Sequence, residues 1–542
     1  MSSEEIREVA LRYALLNAVE HGGRADPKAV VSKVLGERPD LRPKAKEIVE
    51  LVNLVVQEVN SMSPEAQRSA ASSIPTQRKV EDRKELPKIS EPVITRFAPN
   101  PDGPLHLGNA RAAILSYYYA SNTGGKFILR FDDTDPKVKR PIREAYDWIR
   151  EDLKWLGIKW DIEVRASSDE RMNRYYEVIR GLIGKGAAYV DRCSNFKELR
   201  DSGSACPHRD SPVEDNLHSL DLMLEGRIKE GEAVVRIKTD LNDPDPSQRD
   251  WVLLRVIDTK RSPHPLVGDR FWAWPTYNLA SSVDDHDFQI THVFRAREHM
   301  SNARKQQWVY KYMEWTYPKV MEFGRVKLAG FVMSKSKLKM GARDDFRAPT
   351  LAGLRRRGIL PETIIDVILD VGLKVTDATI SMQNVAAINR KRLDPVAKRV
   401  MVVTEPLRVT YRGEKVIATV PLNKTESRTL SLNNGDPLLL EKEDAHGTVR
   451  LMGLTNVKIE GGEAIQVQGG VEEARKKGYP IVHWVNDAVS VKLKILYNDS
   501  EKDAVGEQYI GRLHKGEIVQ LVRKGFARVD CEKPPTLIYS HE

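Results

Sequence analysis

Cysteine is scarce: three in 542 residues, at Cys193, Cys206 and Cys531, too few for a disulfide framework. That scarcity points to a reducing compartment, the cytoplasm. Long apolar runs are missing as well. None approaches the roughly 18–20 residues that a membrane span needs, and the first residues lack the apolar core of a signal peptide. No repeat recurs at solenoid or propeller periods. No Ser-His-Asp or Cys-His set stands out, so chemistry through a protein nucleophile has no candidate.

Charge is abundant. Lys and Arg number 86 against 77 Asp and Glu, a net charge of +9, which makes a polyanion such as nucleic acid a reasonable partner. The length implies roughly three to five domains. Residues 1–60 carry helical apolar spacing in "EEIREVALRYALLNAVEHGG" and "KAKEIVELVNLVVQEVN", and residues 61–90 read as a polar, Ser/Pro-rich linker. From residue 91 strands and helices alternate: "PVITRFAP", "ARAAILSYYYASNTGG", "KFILRFDDT", "IREAYDWIREDLKWLG". That order predicts a parallel, doubly wound sheet of Rossmann type over 91–194. Residues 195–270 read as an insertion, and the sheet pattern resumes over 271–325 with "WAWPTYNLASSVDD" and "ITHVFRAREH". A lysine-rich loop and further helices follow over 326–394. From 395 to 542 short β-branched runs separated by turn residues predict one or two small barrels.

Ligands in such sheets bind beyond the C-terminal ends of the strands, where "FAPNPDGPLHLGN" and "FDDTDP" fall. The first stretch places His106 and Gly108 where a helix begins, a position suited to phosphate. Taken alone, His-Leu-Gly-Asn reads more readily as a capped turn with a half-buried histidine. "VMSKSKL" later places Lys335 and Lys337 in a Ser-rich loop, which alone reads as a solvated run.

Together and in this order, the two motifs resemble the paired nucleotide signatures of class I aminoacyl-tRNA synthetases. "TRFAPNPDGPLHLGNAR", "LRFDDTDP", "WPTYNLASSVDDH", "ITHVFRAREH" and "VMSKSKL" narrow the resemblance to the glutamyl/glutaminyl branch. The β-rich C-terminal part is similar to its archaeal and eukaryotic members. The resemblance implies ATP-dependent activation of L-glutamate and its transfer to tRNA-Glu, with Mg²⁺ accompanying ATP. By motif position, Arg96, Asp132, Tyr277 and Arg295 would hold the amino acid, Arg295 taking the γ-carboxylate. Asn100, His106, Gly108, Asn109, Arg325, Val326, Met333, Ser334 and Lys335 would meet ATP, with His106, Asn109 and Lys335 stabilising charge on the reacting phosphates. Asn109 stands where the family's ideal first motif has a second histidine, and Val332 where the second has a lysine.

The resemblance also makes 195–270 the domain that grips the tRNA acceptor end and the barrels the anticodon readers. It implies that bound tRNA is needed for activation. Arg399, following Arg390, Lys391 and Arg392, is the chosen tRNA contact. The N-terminal helices could dock an amidotransferase or another synthetase, and tRNA-Gln could be accepted beside tRNA-Glu. Cys193, Cys206 and His208 form a thin metal-ligand set with no fourth ligand visible, so the cysteines read as free thiols and no metal site is expected. The rivals are a glutaminyl enzyme, against which Arg295 stands, and a nucleotidyltransferase of related fold, against which the C-terminal β structure stands.

Overall fold

The computed structural model describes residues 3–20, 22–37, 45–73, 86–329 and 343–542. The chain divides into two compact units, Met1–Arg83 and Lys84–Glu542.

The first unit contains helices α1 (Ser3–Glu20), α2 (Pro27–Glu37), α3 (Ala45–Asn60) and α4 (Pro64–Ser73). They close on small and β-branched residues: Ala10, Ala14, Val30, Val34, Val52 and Val56 are all buried. The stretch after residue 60, expected to be a linker, begins with α4. Ser63 caps it, its hydroxyl accepting from the Ala66 N–H, and Gln67 is buried with its amide donating to the carbonyls of Val59 and Gly23. A polar segment can pack when its buried amide meets backbone partners, and composition alone does not reveal those partners.

In the second unit β1 (Ile94–Phe97), α5 (Leu107–Asn122), β2 (Lys126–Phe131), α6 (Arg143–Trp155) and β3 (Ile162–Arg165) follow in order. The three strands form one parallel sheet, with Arg96 opposite Ile128 and Leu129 opposite Glu163. Leu107, Leu115, Phe127, Phe131, Ile149 and Leu153 fill the space between sheet and helices.

Helix α7 (Asp169–Gly184) leads into a four-stranded antiparallel sheet of β4 (Ala188–Asp191), β5 (Val234–Ile237), β6 (Val252–Val256) and β7 (Ala273–Pro275). Between β4 and β5 lie α8 (Phe196–Ser202) and α9 (Val213–Leu224). This module has its own core around Leu220, Met223, Val235, Leu253 and Trp274.

"WAWPTYNLASSVDD" was expected to continue the sheet. Only Ala273–Pro275 is extended; α10 (Tyr277–Asp287) takes over at once. Pro275 has no N–H for a ladder, and Leu279, Ala280 and Val283 bury at helical spacing. Strand β8 (His292–Ala296), α11 (Met300–Met313) and β9 (Lys319–Phe323) follow, with β8 and β9 parallel. Thr291 ties β8 beside β1, its N–H donating to the Ile94 carbonyl at 2.9 Å and its hydroxyl accepting from the Ile94 N–H at 3.0 Å. A short strand, Val326–Leu328, precedes residues 330–342, which lie outside the described residues.

The C-terminal part holds two seven-stranded sheets, nested in sequence. Lys398–Val400 and Val402–Val403 belong to one sheet; seven of the strands from Pro406–Arg412 to Trp484–Asn486 form the other, while Val416–Pro421 and Ser427–Leu432 pair as a separate hairpin, and Val491–Leu496 returns to the first. Each has a separate core, around Ile495, Val519 and Leu537 in one and Tyr411, Leu438 and Trp484 in the other.

Candidate active site

Strand β1 ends at Phe97, and the chain turns through the Pro-rich stretch to His106, the N-cap of α5. The His106 Nδ1 accepts the Gly108 N–H at 3.1 Å, while the His106 N–H donates to Asn109 Oδ1 at 3.2 Å. The two side chains thus form a reciprocal capping box. With Nδ1 an acceptor, the proton of the neutral ring sits on Nε2, a donor suited to a phosphate oxygen at the positive end of a helix. Asn109 therefore has a structural task that accounts for an amide at this position.

Asn100 donates to the Lys139 carbonyl at 3.3 Å, and its Oδ1 is buried without a partner among the described residues. Arg325 is exposed and lies near Glu298 at 3.2 Å and Asp377 at 3.5 Å. Val326 is buried in its strand, so only its main chain can meet a nucleotide. Met333, Ser334 and Lys335 lie outside the described residues.

The amino-acid positions converge more tightly. Arg96, 6% exposed, pairs bidentately with Asp285. Arg130, 2% exposed, joins Asp285 Oδ1 at 2.7 Å, Asp132 Oδ1 at 2.8 Å and Ser281 Oγ at 3.0 Å. Behind them Arg171 and Tyr175 hold Asp284. Burial acts to raise Asp285, but the guanidiniums of Arg96 and Arg130 outweigh it and keep this carboxyl below the usual range. Asp132 is pushed up by burial, against the pull of Arg130. Its Oδ2 is buried with no partner among the described residues, an acceptor that an ammonium could satisfy. Tyr277, the first residue of α10, is 39% exposed.

Sequence reading missed Arg130, Asp284 and Asp285. One signal was available: Asp132 follows directly on β2, two residues after Arg130, and residues two apart in extended chain lie on one face.

Arg295 on β8 is 6% exposed and, among the described residues, makes one side-chain bond, from Nη2 to Gln306 Oε1 at 3.0 Å. Its Nε and Nη1 are buried without partners among the described residues. A buried guanidinium with donors unsatisfied is costly unless an anion completes it. Arg96, by contrast, already has a carboxylate partner in Asp285, which it shares with Arg130.

The inserted module corrects one expectation. A fourth donor does stand beside the cysteines and histidine. Asp191, Cys193, Cys206 and His208 place their ligand atoms within 4.8 Å of one another. The two Sγ atoms are 3.2 Å apart, and His208 Nδ1 is 3.3 Å from Cys193 Sγ. Cys193 shares a turn with Asp191, its N–H donating to Asp191 Oδ1, whereas Cys206 comes back from beyond α8. Two sulfurs, one imidazole and one carboxylate could hold a tetrahedral divalent ion such as zinc.

Arg399 is half exposed and donates to Gln520 Oε1 at 2.8 Å. A cavity of about 570 Å³ opens in the barrel region, lined by Arg428, Trp484, Glu507, Tyr509 and Arg512 among others.

Residues 92–395 match the catalytic-domain model of class I tRNA synthetases (E and Q). Residues 397–477 and 481–530 match its two anticodon-binding-domain models. The glutamate–tRNA ligase of Sulfurisphaera tokodaii is 54% identical over 99% of this chain and all of its own length. Those of Sulfolobus acidocaldarius and Metallosphaera sedula are each 52% identical, over 100% and 99% of this chain and all of theirs. With its catalytic region and both C-terminal sheets matched, and with relatives more than half identical over their whole length, the chain belongs to the class I tRNA synthetases of the glutamate and glutamine (E and Q) type.

Proposed function

We propose that the chain condenses L-glutamate with ATP to glutamyl-adenylate, releasing pyrophosphate, and transfers the glutamyl group to the 3′ end of tRNA-Glu. The observation that carries the choice of glutamate is Arg295, buried with Nε and Nη1 unpartnered among the described residues. A γ-carboxylate supplies the missing anion; glutamine's neutral amide leaves the charge uncompensated. The ammonium goes to Asp132, the α-carboxylate toward Arg96, and Tyr277 closes the mouth. The amino acid's own carboxylate attacks the α-phosphate, so no protein nucleophile is needed. His106 donates from Nε2 to a phosphate oxygen, with Asn100, Gly108, Asn109, Arg325, Val326, Met333, Ser334 and Lys335 at the nucleotide. Mg²⁺ arrives as ATP's counter-ion, held by phosphates and water.

The full-length relatives and the anticodon-binding matches support tRNA as the acceptor. The barrels receive unstacked anticodon bases, for which Tyr509, Arg512 and Arg428 line a suitable cavity and Arg399 offers a further cation. The enzyme works in the cytoplasm, requires bound tRNA for activation, and also glutamylates tRNA-Gln, whose product an amidotransferase then converts. The N-terminal helices dock such an amidotransferase or another synthetase.

The test is transfer of labelled glutamate, with ATP and Mg²⁺, to tRNA-Glu and tRNA-Gln in parallel, with labelled glutamine as control. Glutamate on tRNA-Glu is expected. Glutamine transfer, or none, refutes the assignment. Glutamate on tRNA-Glu alone refutes only the relaxed tRNA choice.

A further inference from the structure

The described partner of the Arg295 side chain is an amide. Gln306, on α11 and 1% exposed, turns Oε1 toward Arg295 Nη2 at 3.0 Å. This orientation is forced, because a guanidinium offers only donors and the amide nitrogen cannot accept from it. The same Oε1 also accepts the Tyr317 hydroxyl at 3.2 Å. On the other side Gln306 Nε2 points at Asn278 Oδ1 at 3.5 Å, and Asn278 in turn donates to Asn302 at 3.3 Å. The polar shell seen around Gln306 is thus uncharged: Tyr317, Asn278 and Asn302.

On β1, which lies beside β8, and on β2 the molecule solves a similar problem differently. Arg96 and Arg130 are as deeply buried as Arg295, and both are held by carboxylates. A buried guanidinium is ordinarily paired in that way. Gln306 has the length to bear a carboxylate in the same place, and a glutamate there would meet Arg295 at salt-bridge distance. Such a pairing would satisfy the arginine permanently and leave the pocket with no net attraction for an incoming acid.

We infer that Gln306 is a positioning residue for amino-acid selection: it holds the Arg295 guanidinium by one neutral hydrogen bond and so keeps its charge uncompensated for the substrate's γ-carboxylate. The inference rests on the reading of Arg295 given above. It adds that specificity depends on the neutrality of residue 306 as well as on the presence of arginine at 295. Tyr317 and Asn278 keep the amide turned: the hydroxyl occupies the second lone pair of Oε1, and the Asn278 oxygen faces the NH₂.

The experiment compares the full-length protein with Gln306→Glu and Gln306→Met, two variants of nearly equal side-chain length. Aminoacylation of tRNA-Glu gives kcat, the KM for glutamate and the KM for ATP; labelled glutamine gives the discrimination ratio. The carboxylate variant is expected to raise the glutamate KM about 100-fold and to lower the glutamate-over-glutamine ratio by a similar factor, with the ATP KM within about threefold. The methionine variant, which loses the acceptor but adds no charge, is expected to raise the glutamate KM about tenfold or less and to keep the preference for glutamate. A purely structural role predicts similar damage from both, appearing in kcat and in the ATP KM. A Gln306→Glu protein whose glutamate KM stays within about threefold of the parent overturns the inference, as does a methionine variant that loses as much discrimination as the glutamate one. Failure of the unaltered protein to charge glutamate at all overturns the proposed function instead.

Discussion

Arg96 and Asp285 face each other as a bidentate pair, Nε to Oδ1 at 2.9 Å and Nη2 to Oδ2 at 3.2 Å, with side chains 6% and 3% exposed. Asp285 also takes Arg130, so one carboxylate holds two buried guanidiniums.

Replacing Asp285 by Asn should therefore do more than weaken one contact. Both arginines would remain buried with less counter-charge, a loss on the order of 3–5 kcal/mol for breaking a buried pair. Denaturant unfolding measures it directly. The glutamate KM should rise as well, because Arg96 loses the partner that orients it. A stability change below about 1 kcal/mol would show that the pair contributes little.

His106 has two separable tasks. It caps α5 through Nδ1, and Nε2 is the atom proposed above to donate to a phosphate oxygen. Asparagine is a good N-cap, so His106→Asn should leave unfolding free energy within about 0.5 kcal/mol. It should lower kcat for adenylate formation roughly 100-fold or more, since the phosphate donor is gone. Loss of stability matching the loss of rate would assign His106 to capping alone.

His264 is buried between loop and sheet. Its Nδ1 accepts the N–H groups of Leu266 and Val267, its Nε2 lies 3.0 Å from the Asp133 carbonyl oxygen, and its ring stacks on Trp274. Burial pushes its pKa down from 6.5 to about 4. A depressed histidine stabilises the fold fully above the unfolded pKa. That stabilisation falls away as pH drops from 6.5 toward 4, because the unfolded chain binds the proton first. The effect amounts to roughly 2 kcal/mol between pH 7 and pH 5. His264→Gln should flatten the pH dependence of unfolding over that interval by about this amount. Parallel curves for the two proteins would refute it.

Asp191, Cys193, Cys206 and His208 converge in the number and kind that structural zinc uses. Protein purified without added metal should contain about one zinc per chain, and Cys206→Ala should contain almost none. Chelation should lower the melting temperature of the parent and leave that of Cys206→Ala unmoved. Metal below a tenth of an equivalent, with both thiols freely titratable, would dismiss the site.

The strand–turn–helix start at residues 94–122 was readable from sequence, because proline, glycine and a capping residue act on their near neighbours. The helix α4 was not readable, since Gln67 becomes packable only when the carbonyls of Val59 and Gly23 reach it. Nor was the tract after Pro275, where helical burial of Leu279 and Val283 overrides an apolar opening.

By itself the sequence determined the alternation that makes a parallel sheet, the order of the two motifs expected at the nucleotide, and the residue types at Arg96, Asp132 and Arg295. Those are local patterns, set by side-chain spacing and backbone preference. Tertiary structure alone decided which charges are spent. Arg96 meets the carboxylate of Asp285 across 189 residues; among the described residues Arg295 meets only the neutral Gln306, eleven residues on. Burial makes that difference matter, because an unpaired charge that water would screen for little becomes a strong demand for one particular anion in a dry pocket.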